Sequence, residues 1–173
     1  MRIRVFLPVA ILSLVASCAT MPPAPLHAAA TIESRSGSSV AGRLTLTQSR
    51  DVVRAHLELH GLPPGSEHGF HIHDKGDCSA PDATSAGGHF NPAGVAHGSA
   101  GSAPHHAGDA PSVVADARGE VRVDLTLEGV TLAAGPLSIV GRSVIVHRDR
   151  DDYTTQPTGN SGPRLACGVI AAP

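Results

Sequence analysis

The sequence predicts an all-β domain, a sandwich or barrel of short strands, and three observations carry that expectation. Apolar and polar residues alternate with period two in several short runs. Gly and Pro together number 33 of 173 residues, and many fall between those runs as turn signals. The apolar stock is mainly Ala, Val and Leu, with no Trp, three Phe and one Tyr. A core of small aliphatic side chains suits packed sheets better than a helical bundle. No segment after residue 30 keeps a helical period, and the length suits one domain once a leader is set aside.

The chain opens like an export signal. Arg2 and Arg4 form a short positive region, Val5 to Val15 is almost wholly apolar, and the segment ends Val15-Ala16-Ser17-Cys18. That ending resembles the bacterial lipobox, whose Cys is lipidated and becomes the first mature residue. The expectation is a signal peptide over 1–17, a lipidated Cys18, and a Pro/Ala-rich tether over 18–30 with His27 unstructured. An ordinary signal peptide cut elsewhere, or an uncleaved anchor, would leave Cys18 incidental. No run of 18 apolar residues occurs beyond the N-terminus, so membrane contact is expected through that N-terminal lipid anchor only. The formal charge is −2, and −4 once the two leader arginines are removed, which predicts no nucleic-acid partner. An anionic substrate would then need a local positive spot.

The expected domain covers 31–173. Val53, Ala55, Leu57 and Leu59 alternate with Arg54, His56 and Glu58; Val121, Val123, Leu125 and Leu127 alternate with Arg122, Asp124 and Thr126. Leu44-Thr45-Leu46-Thr47 repeats the pattern. Turns are marked by Gly61-Leu62-Pro63-Pro64-Gly65 and Ala117-Arg118-Gly119-Glu120. Two stretches, Gly76 to Pro111 and Arg148 to Pro163, read as long loops, and such loops in a compact domain are commonly functional. Three cysteines are present: with Cys18 lipidated, Cys78 and Cys167 form a pair that an exported protein can keep oxidised, two free thiols being the alternative.

The sequence has eleven histidines, most of them in the middle of the chain. His71 and His73, at i and i+2, share one face of a strand while Phe70 and Ile72 turn to the core. His147 follows Val144-Ile145-Val146 as another imidazole carried by a strand, and His89, His97, His106 and Asp109 sit in the first long loop. Three His and one Asp would satisfy tetrahedral zinc, and four His would suit tetragonal copper(II). Six His and one Asp make two such sites only if one His serves both. His56 and His60, on the wet face of a strand, and His68, just before the metal strand, are expected to bind no metal.

Gly69-Phe70-His71-Ile72-His73, Ser85 to Pro92, His97-Gly98, His106-Ala107-Gly108-Asp109, Val144 to His147, Gly159-Asn160 and Arg164 to Ile170 together resemble the copper,zinc superoxide dismutases, in order and over nearly all of 30–171. Cys78 just after Lys75-Gly76-Asp77, and the segment Asp152 to Pro157, lean toward the bacterial branch. The resemblance implies a Greek-key β-sandwich or flattened barrel with two long functional loops. It implies copper on His71, His73, His89 and His147, with zinc on His97, His106, Asp109 and the shared His89. It prefers His106 over its neighbour His105. It makes Asp151 a carboxylate that hydrogen-bonds ligands of both metals, Arg164 the arginine beside the copper, and Cys78–Cys167 a disulfide. It implies dismutation of superoxide to dioxygen and hydrogen peroxide in the periplasm or cell envelope, with His89 and Arg164 in the catalytic machinery. A homodimer is compatible with it, although the segment from Cys78 to Gly87, which helps form subunit contacts in some members, is short. A metal-binding or copper-delivery module on the same fold is the competing function, and the presence of Arg164 with every ligand position favours the enzyme.

Overall fold

The computed structural model describes residues 24–173; the expected signal peptide, Cys18 and the first part of the expected tether lie outside the described residues. Among the described residues nine strands follow one another: β1 (Leu26–Ser34), β2 (Ala41–Ser49), β3 (Val52–His60), β4 (Glu67–His68), β5 (Phe70–His73), β6 (Val113–Val114), β7 (Val121–Leu127), β8 (Ser143–His147) and β9 (Arg164–Val169). Among the described residues helix is confined to one 3₁₀ turn, Thr84–Ala86. Seven strands form one antiparallel sheet in the order β5-β8-β9-β1-β2-β3-β7, and β4 pairs with β6. The neighbours β3–β7, β5–β8 and β9–β1 are distant in sequence, which is the connectivity of a Greek key. β4 runs on into β5 through Gly69, and β6 packs beside β7, so the short pair lies between the two ends of the large sheet. The result is the expected flattened β-sandwich.

The alternation works as the sequence dictates. Leu44 and Leu46, and Val53, Ala55, Leu57 and Leu59, are buried, opposite Phe70, Ile72, Val144, Val146 and Ala166. Small side chains let the two halves of the sheet approach closely. On β7, Val121 and Leu127 are buried but Val123 and Leu125 are half-buried, because β7 is the outermost strand of its sheet.

β1 corrects the boundary drawn from sequence. It begins at Leu26, inside the stretch expected to be tether, and His27 lies in it, paired with Thr47 of β2. Ala28, Ala30 and Ile32 turn inward and are buried, so this segment is a strand with the same period-two pattern, written in alanine. His27 itself is exposed, with Nδ1 3.3 Å from the Thr47 hydroxyl.

Both long loops fold back over the outer face of β5, β8 and β9. The first is pinned along β5: Gly108 O accepts from Ile72 N, and Ile72 O accepts from Phe90 N, each at 2.8 Å. A Cβ on Gly108 would collide with the Ile72 carbonyl, so this approach requires glycine. The same loop is held to β9 by the Cys78–Cys167 disulfide, around which Ala83, Ala86 and Ile145 pack.

Replacing Cys78 by Ser opens a bridge spanning 89 residues. The chain-entropy estimate puts the loss at no more than about 4–5 kcal/mol. Calorimetry of the metal-loaded variant should show a clearly lower Tm, and hydrogen exchange should show the first loop loosened before the barrel. An unchanged Tm contradicts this account of how the loop is held.

Candidate metal centre

Each histidine of the site is placed by a different device. His71 and His73 stand on the outer face of β5, made interior by the loops above them. His147 ends β8, where the register with β9 shifts: Val146 pairs with Ala166, but His147 pairs with Arg164. This bulge leaves Leu165 unpaired in the ladder and sets Arg164 directly across from His147. His89, His97, His106 and Asp109 come from the first loop, as expected. All are buried, with His71 and His73 at 0% exposure.

They make two overlapping groups. His71, His73, His89 and His147 have ligand atoms within 4.8 Å of one another, and so do His89, His97, His106 and Asp109. His89 belongs to both. In the second group a single carboxylate oxygen, Asp109 Oδ1, faces Nδ1 of His89 at 2.9 Å, of His97 at 3.0 Å and of His106 at 3.3 Å. Nδ1 of His106 is also 3.4 Å from that of His89. Lone pairs converging on one point are what a cation neutralises. The other carboxylate oxygen is held by the N–H groups of His106 (2.8 Å) and Gly98 (3.2 Å).

The first group shows the complementary sign. His71 Nδ1 and His89 Nε2 are buried with no hydrogen-bond partner among the described residues. Orphaned buried nitrogens are costly, and a metal ion satisfies them. The opposite nitrogen of three of these rings is anchored: His71 Nε2 to Asp151 at 2.6 Å, His73 Nδ1 to Gly87 O at 2.9 Å, and His147 Nδ1 to Gly162 O at 3.2 Å. Such partners fix both tautomer and ring direction. Asp151 reaches both groups, because its other oxygen accepts from His97 Nε2 at 2.9 Å.

The electrostatics follow from burial. Loss of solvent pushes the imidazole of His71 down to about 4 despite its bond to Asp151. His73 and His147 are likewise pushed well down by burial and by neighbouring imidazoles. These three therefore offer neutral, ligating nitrogens at neutral pH. Burial opposes charge on His97 too, but hydrogen bonds to Asp109 and Asp151 win and raise it to about 9. Asp109 and Asp151 are held far below the usual carboxylate range by histidine hydrogen bonds that overcome their own desolvation. A metal bound at His97 would therefore displace a proton.

His68, expected to bind no metal, is a buried structural histidine. It is 1% exposed and lies in neither group. Its Nδ1 bonds to the carbonyl of His147 at 2.8 Å, and Nε2 lies 2.6 Å from the Ser66 hydroxyl. It therefore fixes the backbone that carries His147, a role that no spacing in the sequence could reveal. His56 and His60 are exposed, as expected, His56 beside Asp124 at 2.7 Å. His105 is half-buried and bonds the His106 carbonyl rather than joining a group.

The family model for copper/zinc superoxide dismutase matches residues 40–170. The chain belongs to the copper/zinc superoxide dismutase family. A relative from Aquifex aeolicus, superoxide dismutase [Cu-Zn] 2, is 40% identical over 135 residues, covering 76% of this chain and 79% of that one. The extracellular superoxide dismutase [Cu-Zn] of Brugia pahangi is 38% identical over 153 residues, covering 83% and 75%. Among solved structures, the clock protein EA4 is similar with a TM-score of 0.78 and 37% identity, over 86% of this chain and 96% of that chain. Copper and zinc are the cofactors of this superoxide dismutase domain, and the two groups suit them: four imidazoles for copper, three imidazoles and a carboxylate for zinc.

Because Asp151 braces a ring in each group, Asp151→Ala should weaken both metals, zinc by roughly 10–100-fold. Competition with a chelator of known affinity, read by atomic absorption, gives both numbers. Wild-type affinity for both metals would show that the carboxylate braces neither ring.

Proposed function

We propose that this protein is an exported, lipid-anchored superoxide dismutase that removes superoxide from the cell envelope. One observation carries the catalytic reading: His89 is common to both buried groups, with Nδ1 toward Asp109 and Nε2 unpartnered on the other side. In this reading His71, His73, His89 and His147 hold copper, while His89, His97, His106 and Asp109 hold zinc. Copper held there would supply one-electron chemistry, by which one superoxide would lose an electron to become dioxygen and a second would gain it and take up two protons to become hydrogen peroxide. Zinc has no redox chemistry, and its ligands keep the shared ring in place.

The protein's part is orientation and charge. Arg164 stands across from His147, and its guanidinium donates to the carbonyls of Ala83 (2.6 Å) and Gly87 (2.7 Å). Two of its five N–H donors are thereby spent on fixing its direction. Burial lowers its pKa, yet a guanidinium stays charged at any relevant pH. In a chain of net negative charge, a fixed local cation is what draws in a small anion. His73 bonds to the same Gly87 carbonyl, so Arg164 and a copper-group ring share one anchor.

Export is supported by the leader pattern and by the disulfide, which persists in oxidising compartments. The name of the Brugia relative points the same way. The domain is read as beginning where β1 begins, with residues 1–17 removed and Cys18 carrying the lipid. Homodimer formation remains part of this proposal.

The copper- and zinc-loaded mature protein should turn over superoxide; a metal-binding module would not. Arg164→Ala should retain both metals, yet kcat/KM should fall by roughly tenfold or more, about 1.4 kcal/mol of barrier. Lysine at 164 should restore part of the loss, and alanine should flatten the dependence of rate on ionic strength. Wild-type kinetics with both metals confirmed would remove Arg164 from the mechanism.

Cys18→Ser should leave turnover intact while releasing the protein from the membrane fraction or blocking its maturation. Mass spectrometry of the mature wild type settles the anchor: an unmodified Cys18 in a soluble product contradicts it.

A further inference from the structure

The turn that anchors Arg164 also carries an opposing charge. Ser36, Asp82, Thr84, Gly162, Pro163 and Arg164 line a pocket of about 290 Å³. Asp82 and Arg164 are its two charged lining residues, and they nearly cancel. Asp82 is not loosely placed. Its Oδ1 accepts from Thr84 N at 3.0 Å and from the Thr84 hydroxyl at 2.7 Å. Between them Ala83, in the left-handed conformation at φ 57°, points its carbonyl at the Arg164 guanidinium. One three-residue turn therefore orients the cation and holds a carboxylate beside it. Those same hydrogen bonds, with Arg164 adding a smaller effect, hold the Asp82 carboxyl below its ordinary range, so it is ionised at neutral pH. Arg148 and Asp149, behind Gly162, form a 2.9 Å ion pair and contribute little net charge.

We propose that Asp82 restrains the anion dock: its fixed carboxylate on the rim of the Arg164 pocket weakens the attraction for a small monovalent anion and so sets how fast, and how salt-dependently, superoxide is captured. The proposal rests on Arg164 being the dock. Asp82 touches neither metal group and makes no bond to Arg164 among the described residues, so it acts through the field alone. A unit charge within about 10 Å across water changes an anion's local concentration by roughly two- to threefold at low ionic strength, an effect that salt removes. Chloride carries the same single charge as superoxide, so the carboxylate lowers the occupancy of the spot by either anion alike.

The test uses holoenzyme and azide as the anion probe. Azide affinity is read from the copper absorption band at about 10 mM and about 500 mM ionic strength, a range over which the screening length falls several-fold. Asparagine keeps the acceptor oxygen for Thr84 and removes only the charge. Asp82→Asn should bind azide about two- to threefold more tightly at low salt, converge with wild type at high salt, and keep both metals and the wild-type Tm. Asp82→Glu should behave as wild type. Arg164→Ala should bind azide more weakly. If Arg164→Ala weakens azide while Asp82→Asn changes nothing, the dock stands and the role of Asp82 is overturned. A tighter Asp82→Asn site that also loses metal or Tm overturns it too, because the effect would then be structural. If azide ignores Arg164→Ala, the dock itself fails and the Asp82 proposal falls with it.

Discussion

Everything in this structure answers to the desolvation of its histidine–carboxylate cluster. Six imidazoles, Asp109 and Asp151 lie out of water, where an unpaired polar group is costly and an unpaired charge more so. Their mutual hydrogen bonds settle most of the outward-facing atoms, while the inward-facing atoms converge on two points that share His89. Copper and zinc bound there would complete what the protein leaves open. The long loops exist to exclude water from that cluster, and the disulfide, the Arg164 anchors and the glycine approach at Gly108 hold those loops down. The barrel beneath is ordinary by comparison: small aliphatic side chains, period-two strands and one Greek-key crossover set.

Much of this was legible in the sequence because period-two patterning is a local signal. Val53 to Leu59 announces its inward face residue by residue, and the spacing of His71 and His73 places two rings on one side of a strand. Leu26 to Ile32 escaped because its inward residues include two alanines, which read equally well as linker beside the neighbouring prolines. Val123 and Leu125 are less buried than alternation suggests, since burial depends on having a neighbour strand, which the pattern cannot supply.

The site was less legible where non-local geometry decides. Nothing in the order of residues says that His68 reaches the His147 carbonyl 79 positions away, or that a bulge beyond Val146 brings Arg164 opposite His147. Nor does it say that Asp82 shares a pocket with Arg164. These depend on register shifts and loop closure, and they surface only once the strands are paired. The metal positions themselves were carried by a family resemblance together with the count of six His and one Asp, which two sites accommodate only by sharing a ring.

That sharing is the central claim, and anomalous diffraction from the metal-loaded protein tests it most directly. Data on either side of the copper and zinc edges locate each element independently. The account predicts one copper among His71, His73, His89 and His147 and one zinc among His89, His97, His106 and Asp109, with the single His89 ring between them. Copper and zinc found in the reverse groups, or His89 ligating one metal while the other sits apart from it, would contradict it.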